Sequence, residues 1–279
     1  MYQNNKLDIS VSIVIYNTSK TDLIRVIRSI KKYHMGIEIL IIDNSEKPTR
    51  KELCKHMGVN YQFNNNNLGY GCAHNISLRR SLKNKNKYHV IVNPDVYFED
   101  NVFKKLYEYM EENQDVGLIS PKILYPNSSL QYLCKLVPDP FHLAFRKIFP
   151  NSKIVNIQNR KYELKFTGYN KTMDVPLISG CFMFIRTSLL HSTGFFDERY
   201  FMYLEDFDLC RRFNKISSIV FYPHAFIYHE YMRGHAKDIK LLIYFIRSAI
   251  KYFNKWGWFF DKERKEVNLR TLKNLNFKD

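Results

Sequence analysis

Short β-branched apolar runs alternate with helix-length segments from the first residues of the chain to about residue 92, and this alternation constrains the fold more than any other feature. Residues 11–16 (VSIVIY) read as a buried strand closed by Asn17-Thr18-Ser19, which is turn and helix-cap chemistry, and residues 21–33 then read as a helix. Residues 37–42 (IEILII) are a second strand, stopped by Asp43-Asn44-Ser45. Residues 48–57 suit a helix with proline near its start, and residues 59–63 a weaker third strand. After the polar run 64–67 comes Leu68-Gly69-Tyr70-Gly71, then a helix to Leu82 and a fourth strand at 88–92 (YHVIV). Strands separated by helices of this length imply an α/β fold with a mostly parallel central sheet flanked by helices, and such sheets bind ligands at the carboxyl ends of their strands. Asn17, Asp43 and Asn93 to Asp95 all fall at those ends.

Beyond a helix at 101–113 and a strand at 116–125 the periodicity loosens. Residues 126–174 mix polar and aromatic side chains and read as loops that set specificity. Regularity returns with a strand at 176–185 containing Ser179-Gly180, a helix at 204–213 that begins in acidic residues, and a strand at 216–222. Residues 236–258 are helical by period. Residues 231–279 hold 12 basic and 5 acidic side chains among ten aromatics, which marks them as a basic, amphipathic helical segment.

The 43 basic and 27 acidic residues of the 279-residue chain give +16, an excess that suits a polyanionic partner such as nucleic acid, an acidic bilayer surface or a phosphorylated substrate. Hydrophobic residues at 45% exclude a disordered chain. Cys54, Cys72, Cys134, Cys181 and Cys210 contain no CxxC pair, so reduced thiols in a cytoplasmic setting are expected. MYQNNKLDIS lacks the layout of a signal peptide, and no apolar run approaches the roughly 18 residues of a spanning helix.

Five groups of residues carry candidate chemistry. Asn93-Pro94-Asp95 follows an apolar strand, where a carboxylate can hold a divalent cation against a diphosphate; the same tripeptide is also strong turn chemistry. Glu205 and Asp206, with Asp208, open a helix, where acids complement the dipole or supply a general base for a hydroxyl nucleophile; Arg211 and Arg212 are equally ready as ion-pair partners. Asp43 at a strand end suits a nucleobase or ribose, or an Asx-turn. His229, followed by His235, suits a metal shell, a phosphate contact or a structural role. Asn67, Gly69, Gly71 and Asn75 form a polar turn into a helix, open to backbone contact with phosphate.

In this order the blocks VSIVIYN, IEILIIDNS, NNNNLGYGCAHN, VIVNPDV, LISGCFMFIR, GFFDERYFMYLEDFDLCRR and YPHAFIYH resemble family 2 glycosyltransferases of the GT-A (Rossmann-like) fold over about residues 10–229. NPDV, the LEDFDLCRR block and IRSAIKYFNKWG resemble the rhamnosyltransferase branch that builds bacterial surface polysaccharides such as O-antigen or capsule. The resemblance implies a catalytic domain over residues 1–230, with a nucleotide-sugar half to about 115 and an acceptor half from there to 230, followed by the extension 231–279. It implies an inverting hexosyltransferase that takes a nucleotide-diphosphate sugar, with dTDP-rhamnose the leading donor and UDP-hexoses or UDP-N-acetylhexosamines as alternatives. Mg²⁺ or Mn²⁺ would be the cofactor, and a polyprenyl-linked saccharide the acceptor.

Carried over by position, Asp43 would touch the nucleoside, with Asn17, Asn67, Gly69, Asn75 and Asn93 also on the donor. Asp95 would bind the metal as the last carboxylate of the DxD motif, joined by His229. Asp206 would be the base, and Glu205 would orient sugar or acceptor. Many relatives have aspartate where this chain has Asn93, so one anionic ligand is missing here. Residues 239–258 could rest on anionic lipid, placing the protein peripherally on the cytoplasmic face of the inner membrane. A nucleic-acid-binding module is the rival of another class. It is disfavoured because the basic residues are spread along the chain without an RRM, KH or helix-turn-helix signature, and no nucleic-acid partner is expected. A nucleotidyltransferase would carry glycine in its first-strand loop, which VSIVIYNTSK lacks, and a non-catalytic scaffold of the same fold is the third alternative.

Overall fold

β1 (Ile9–Ile15) alternates, with Ile9, Val11, Ile13 and Ile15 on one face and Ser10 and Ser12 on the other, and this alternation assigns the two faces of the sheet. In the computed structural model, which describes residues 8–33, 36–149, 152–230 and 239–277, β1 pairs in parallel with β2 (Glu38–Asp43) and β4 (Tyr88–Val92), and β2 with β3 (Asn60–Phe63). The aliphatic face packs on α1 (Lys20–Lys31) and α4 (Val102–Glu112) through Leu23, Val26, Ile27, Val102 and Leu106. α1 starts where Ser19 Oγ accepts the Asp22 N–H and ends in Arg28 and Lys31, so cap and charges both suit the helix dipole. α2 (Lys51–His56) flanks β3.

The serine face meets α3 (Tyr70–Lys83). There a buried chain of hydrogen bonds runs Ser81, Ser10, His89, Ser12, His74, each step 2.7 or 2.8 Å. Two polar residues thus sit in the middle of a parallel sheet because each has partners.

The sheet continues through β5 (Val96–Tyr97), β6 (Val116–Leu124), β7 (Met173–Asp174), β8 (Phe182–Arg186) and β9 (Ser218–His229) in the order β3-β2-β1-β4-β8-β6-β9-β5, with β7 on β9. β8 runs antiparallel to both of its neighbours, β4 and β6, and the short β5 and β7 run antiparallel to β9. The residues upstream of β8, 179–181, therefore lie at the end of the sheet where the parallel strands finish.

Residues 126–174 contain helices α5 (Pro140–Ile148) and α6 (Lys153–Tyr162), where loops were expected. α5 is set by Asp139, whose carboxylate accepts the His142 N–H at 2.9 Å, and by proline at its first position. Its period is hard to read because Phe141 and Ile148 face solvent while Leu143 is buried. α7 (Leu190–Thr193) and α8 (Glu205–Phe213) follow β8.

The tail holds two helices, α9 (Ile239–Trp256) and α10 (Lys262–Asn274), rather than one; the expected start at residue 236 lies outside the described residues, as does His235. Tyr252 and Phe253 of α9 enter the same core as α8, and the buried Arg211–Asp261 pair, with contacts of 2.7 and 2.9 Å, ties α8 to the start of α10. Leu242, Ile243, Ile246 and Ile250 stay exposed, so only part of the expected apolar stripe is packed.

Candidate active site

At the end of β4 the chain turns through Asn93-Pro94-Asp95, with the Val96 N–H donating to the Asn93 carbonyl at 3.2 Å. The turn and the carboxylate coexist. Pairing of β5 with β9 sets Val96 opposite His229, and brings Asp95 Oδ1 to 3.4 Å from His229 Nε2. Gln131 fixes the imidazole: its amide nitrogen donates to the carbonyls of His229 at 2.7 Å and Leu124 at 3.2 Å, which turns its oxygen to His229 Nδ1 at 3.0 Å. With Nδ1 protonated for that bond, a neutral ring presents the Nε2 lone pair toward Asp95 Oδ1, an enclosed atom with no hydrogen-bond partner. Two acceptors at this distance call for a positive charge between them, either a proton or a metal ion. Among the described residues no three His, Cys, Asp or Glu side chains converge, so the protein supplies a partial shell that fits a hard cation also bound by a diphosphate.

Across from this turn, Glu205 and Asp206 open α8. The two residues before them, Tyr203 and Leu204, have φ of 72° and 65°. Side chains larger than glycine rarely hold this left-handed conformation, and two in succession mark a backbone bent to present the adjacent acids. Asp206 Oδ2 accepts the Gly180 N–H at 3.0 Å and Oδ1 its neighbour Phe207 N–H at 2.9 Å. Glu205 is buried, and its Oε2 has no partner. Burial pushes the Glu205 carboxyl well up, and Asp206 adds to the shift. Burial also raises Asp206, against the Gly180 N–H and the Lys135 ammonium. Of two adjacent carboxyls in one low-dielectric site, the better hydrogen-bonded one ionises first, and here that is Asp206.

Tyr70 joins the two banks. Its hydroxyl lies 2.5 Å from the Gly180 carbonyl and 3.1 Å from Asn93 Oδ1, and the Asn93 N–H donates to the Cys181 carbonyl at 2.9 Å. Burial first, then Cys181, Glu205, Asp206 and Asp95, drive the Tyr70 hydroxyl well above its ordinary range.

Other expected donor contacts are placed differently. Asp43 is completely buried; its oxygens accept the Ser45 N–H at 2.8 Å, the Asx-turn bond that the sequence also allows, and the Tyr61 hydroxyl at 2.6 Å. Asn17 is the exposed residue at that sheet end, held at φ 50° with its N–H on Ser45 Oγ. The phosphate-binding turn expected at 67–75 is also spent internally. The Gly69 N–H donates to Asn67 Oδ1 at 3.0 Å, its carbonyl accepts Asn44, and the Tyr70 N–H donates to the Phe201 carbonyl. Gly69 is required there because φ is 85° and a Cβ would stand 2.3 Å from the Phe201 carbonyl oxygen. Asn75 is completely buried, bonding both backbone polar groups of Phe196 at 2.9 Å and Glu198 at 3.1 Å, so it holds the 196–198 turn rather than a ligand. Asp208 pairs with Lys255 at 2.6 Å and Arg212 at 3.0 Å, a structural role.

Sequence reasoning misses Lys135, since it lies in the aperiodic stretch. Its ammonium lies 5.5 Å over the ring of Phe207, the residue after Asp206; burial and then Arg146 lower its pKa, against Glu163 and Asp206. Tyr70 and Gln131 carry no distinguishing signal beyond being polar aromatics and amides in a chain rich in both.

The fold of the mixed sheet and its flanking helices is shared with solved glycosyltransferases. GalNAc-T7 with UDP, GalNAc and Mn²⁺ superposes at a TM-score of 0.68 with 16% identity, covering 100% of this chain and 56% of that one. The mannosyltransferase PcManGT from Pyrobaculum calidifontis, in complex with GDP-Man and Mn²⁺, gives 0.61 with 13% identity, covering 97% and 70%. These likenesses define a GT-A fold. Residues 10–194 match the description "Glycosyl transferase family 2", and the chain belongs to that family.

It is 26% identical over 207 residues to the low-salt glycan biosynthesis hexosyltransferase Agl10 of Haloferax volcanii, covering 74% of this chain but only 61% of that relative. It is 25% identical over 228 residues to the rhamnosyltransferase WbbL of Escherichia coli K12, covering 77% and 81%. It is 24% identical over 217 residues to the N-acetylglucosaminyl-diphospho-decaprenol L-rhamnosyltransferase of Mycobacterium tuberculosis, covering 72% and 69%. No helix among the described residues is long and apolar enough to cross a membrane.

Proposed function

We propose that this chain transfers a hexose or deoxyhexose from a nucleoside-diphosphate donor to a hydroxyl of a lipid-linked saccharide, inverting the anomeric centre. The observation that carries the reading is that the Tyr70 hydroxyl bonds both Asn93, in the turn that presents Asp95, and Gly180, whose N–H holds Asp206, at the end of the sheet where the parallel strands finish. Asp206, ionised and held by the Gly180 N–H, takes the proton of the acceptor hydroxyl as its oxygen attacks the anomeric carbon. The bond from that carbon to the diphosphate breaks on the opposite face, which inverts configuration. Glu205, protonated, donates a hydrogen bond to sugar or acceptor.

Asp95 and His229 would hold Mg²⁺ or Mn²⁺, which supplies neutralising charge to the departing diphosphate. Two of the relatives are named rhamnosyltransferases, which favours dTDP-rhamnose, and one name includes a diphospho-decaprenol acceptor. Helices α5, α6 and α9 carry nine basic and no acidic side chains, which supports attachment to an anionic membrane surface.

The test is a screen of sugar nucleotides for Mg²⁺- or Mn²⁺-dependent release of nucleoside diphosphate in the presence of saccharide acceptors. dTDP-rhamnose turnover is expected, and inertness toward every donor with either metal would remove the reading. Flotation with vesicles containing phosphatidylglycerol tests the membrane contact, with no flotation counting against it.

A further inference from the structure

One side of α9 holds the chain that leads to the candidate base. The Ser248 hydroxyl donates to the Met202 carbonyl at 2.7 Å, the Lys251 ammonium donates to the Arg199 carbonyl, and the rings of Tyr244 and Phe245 lie 4.5 Å from Phe201 and 5.9 Å from Tyr203. The segment 199–203 runs through the left-handed pair Tyr203 and Leu204 into Glu205 and Asp206. Its Phe201 carbonyl also accepts the N–H of Tyr70, the first residue of α3, at 2.9 Å, so the segment is held between two helices.

The other side of α9 is apolar and open. At 3.6 residues per turn, Ile239, Leu242, Ile243, Ile246 and Ile250 face away from Tyr244, Ser248 and Lys251, and all five are exposed. The apolar surface continues past the helix end: the Trp258 ring lies 5.2 Å from Phe253, three residues after Ile250, and Phe260 is 97% exposed. Only Ser248, Tyr252 and Phe253 of α9 are buried, so residues 239–247, which include Tyr244 and Phe245, bury none of their own. So short a helical stretch is marginal by itself, and covering its apolar side would stabilise it.

Charge selects what covers it. α9 and α5, joined where Lys147 lies 5.1 Å from the centre of the Phe245 ring, carry six lysines and arginines and no acid, and Lys147, Arg247 and Lys251 pair with no acid. The acids at their flanks are occupied: Asp139 caps α5 through the His142 N–H, and Asp261 is buried against Arg211. A two-fold contact with a second copy would set these cations against each other, whereas an anionic bilayer meets both the apolar stripe and its charge.

We infer that α9 seats its apolar side in an anionic bilayer and thereby steadies the segment 199–203 on its other side, so that membrane contact raises turnover at Asp206. This regulation rests on the proposed transferase reading, while the surface and its link to the segment are tested without turnover. The probes are phosphatidylcholine vesicles with and without phosphatidylglycerol, mixed with the full chain. Vesicles containing phosphatidylglycerol should slow amide hydrogen exchange at 239–247 and at 199–204 about fivefold or more, and raise kcat for a water-soluble acceptor by a similar factor, with nucleoside-diphosphate binding unchanged. Ile246→Asp should abolish flotation and both responses. Ser248→Ala should float like the wild type and lose most of the slowing at 199–204 and of the rise in kcat.

Absence of flotation, or unchanged exchange at 199–204 on vesicles that bind the protein, overturns the inference. So does a concentration-dependent dimer abolished by Ile246→Asp, which would give the face to a second copy. Slowed exchange on vesicles without transfer to any acceptor would count against the transferase reading alone, and transfer indifferent to bound vesicles against the regulation alone.

Discussion

The Gly180 backbone N–H donates to Asp206 Oδ2 across 26 residues of sequence, at 3.0 Å. This bond steers the carboxylate of α8 to the loop that precedes β8, and with the Phe207 N–H it opposes the upward shift that burial imposes on the carboxyl.

Asp206→Asn should keep this geometry and lose the proton acceptor. Transfer should fall about 10²–10⁴-fold, while donor binding by calorimetry stays within about twofold. Since the Asp206 carboxyl is raised above its ordinary value, wild-type kcat should rise with pH on its acid limb, with an inflection above the usual carboxylate value of about 3.9. Unchanged turnover in the variant would remove the base assignment.

Gln131 is buried, and it sets which nitrogen of His229 faces Asp95. Gln131→Leu should weaken Mn²⁺ binding about 10–100-fold, read by electron paramagnetic resonance titration with nucleoside diphosphate present, and Asp95→Ala should weaken it further. Gln131→Glu, which keeps an acceptor on Nδ1, should recover part of the loss.

Arg211 is almost fully enclosed, and Asp261 satisfies it through two bonds. Asp261→Ala strands a buried guanidinium, with a cost of about 3–5 kcal/mol in urea unfolding. Replacing both partners with apolar residues (Arg211→Met with Asp261→Leu) should recover most of it.

The Ser–His chain under β1 makes stability depend on pH. Burial lowers His89 to about 3 and His74 well below its ordinary value, so both are neutral in the folded protein while the unfolded chain protonates near 6.5. Their contribution is fully present above about pH 6.5 and is lost as pH falls from there toward 3. At pH 5 the loss from His89 should be about 2 kcal/mol, with His74 acting in the same direction, measured as a drop in the urea midpoint. His89→Gln should flatten this slope.

The parallel half of the sheet was legible because β1, β2 and β4 are continuous or alternating β-branched runs, and α8 because its acids, apolar positions and arginines fall in helical order. Asp95, Glu205 and Asp206 were legible by chemical type. Their surroundings were not: Tyr70 reaches Gly180 over 110 residues and Gln131 reaches His229 over 98, distances that no local pattern reports. The internal partners of Asp43 and Asn75 were hidden for a related reason. A polar residue at a strand or helix end looks the same in sequence whether it faces a ligand or fastens a turn, and only the partners Tyr61 and Phe196 decide.

The reversed direction of β8 has a consequence for how such a molecule can change. Its entry loop meets the exit of β4, so one bank of the cleft is built from chain leaving the sheet and the other from chain arriving at it. Insertions before β8, including the whole stretch that folds into α5 and α6, can lengthen or shorten without moving the Asn93 to Asp95 turn. One half of the cleft can be remodelled for new partners while the other keeps its shape.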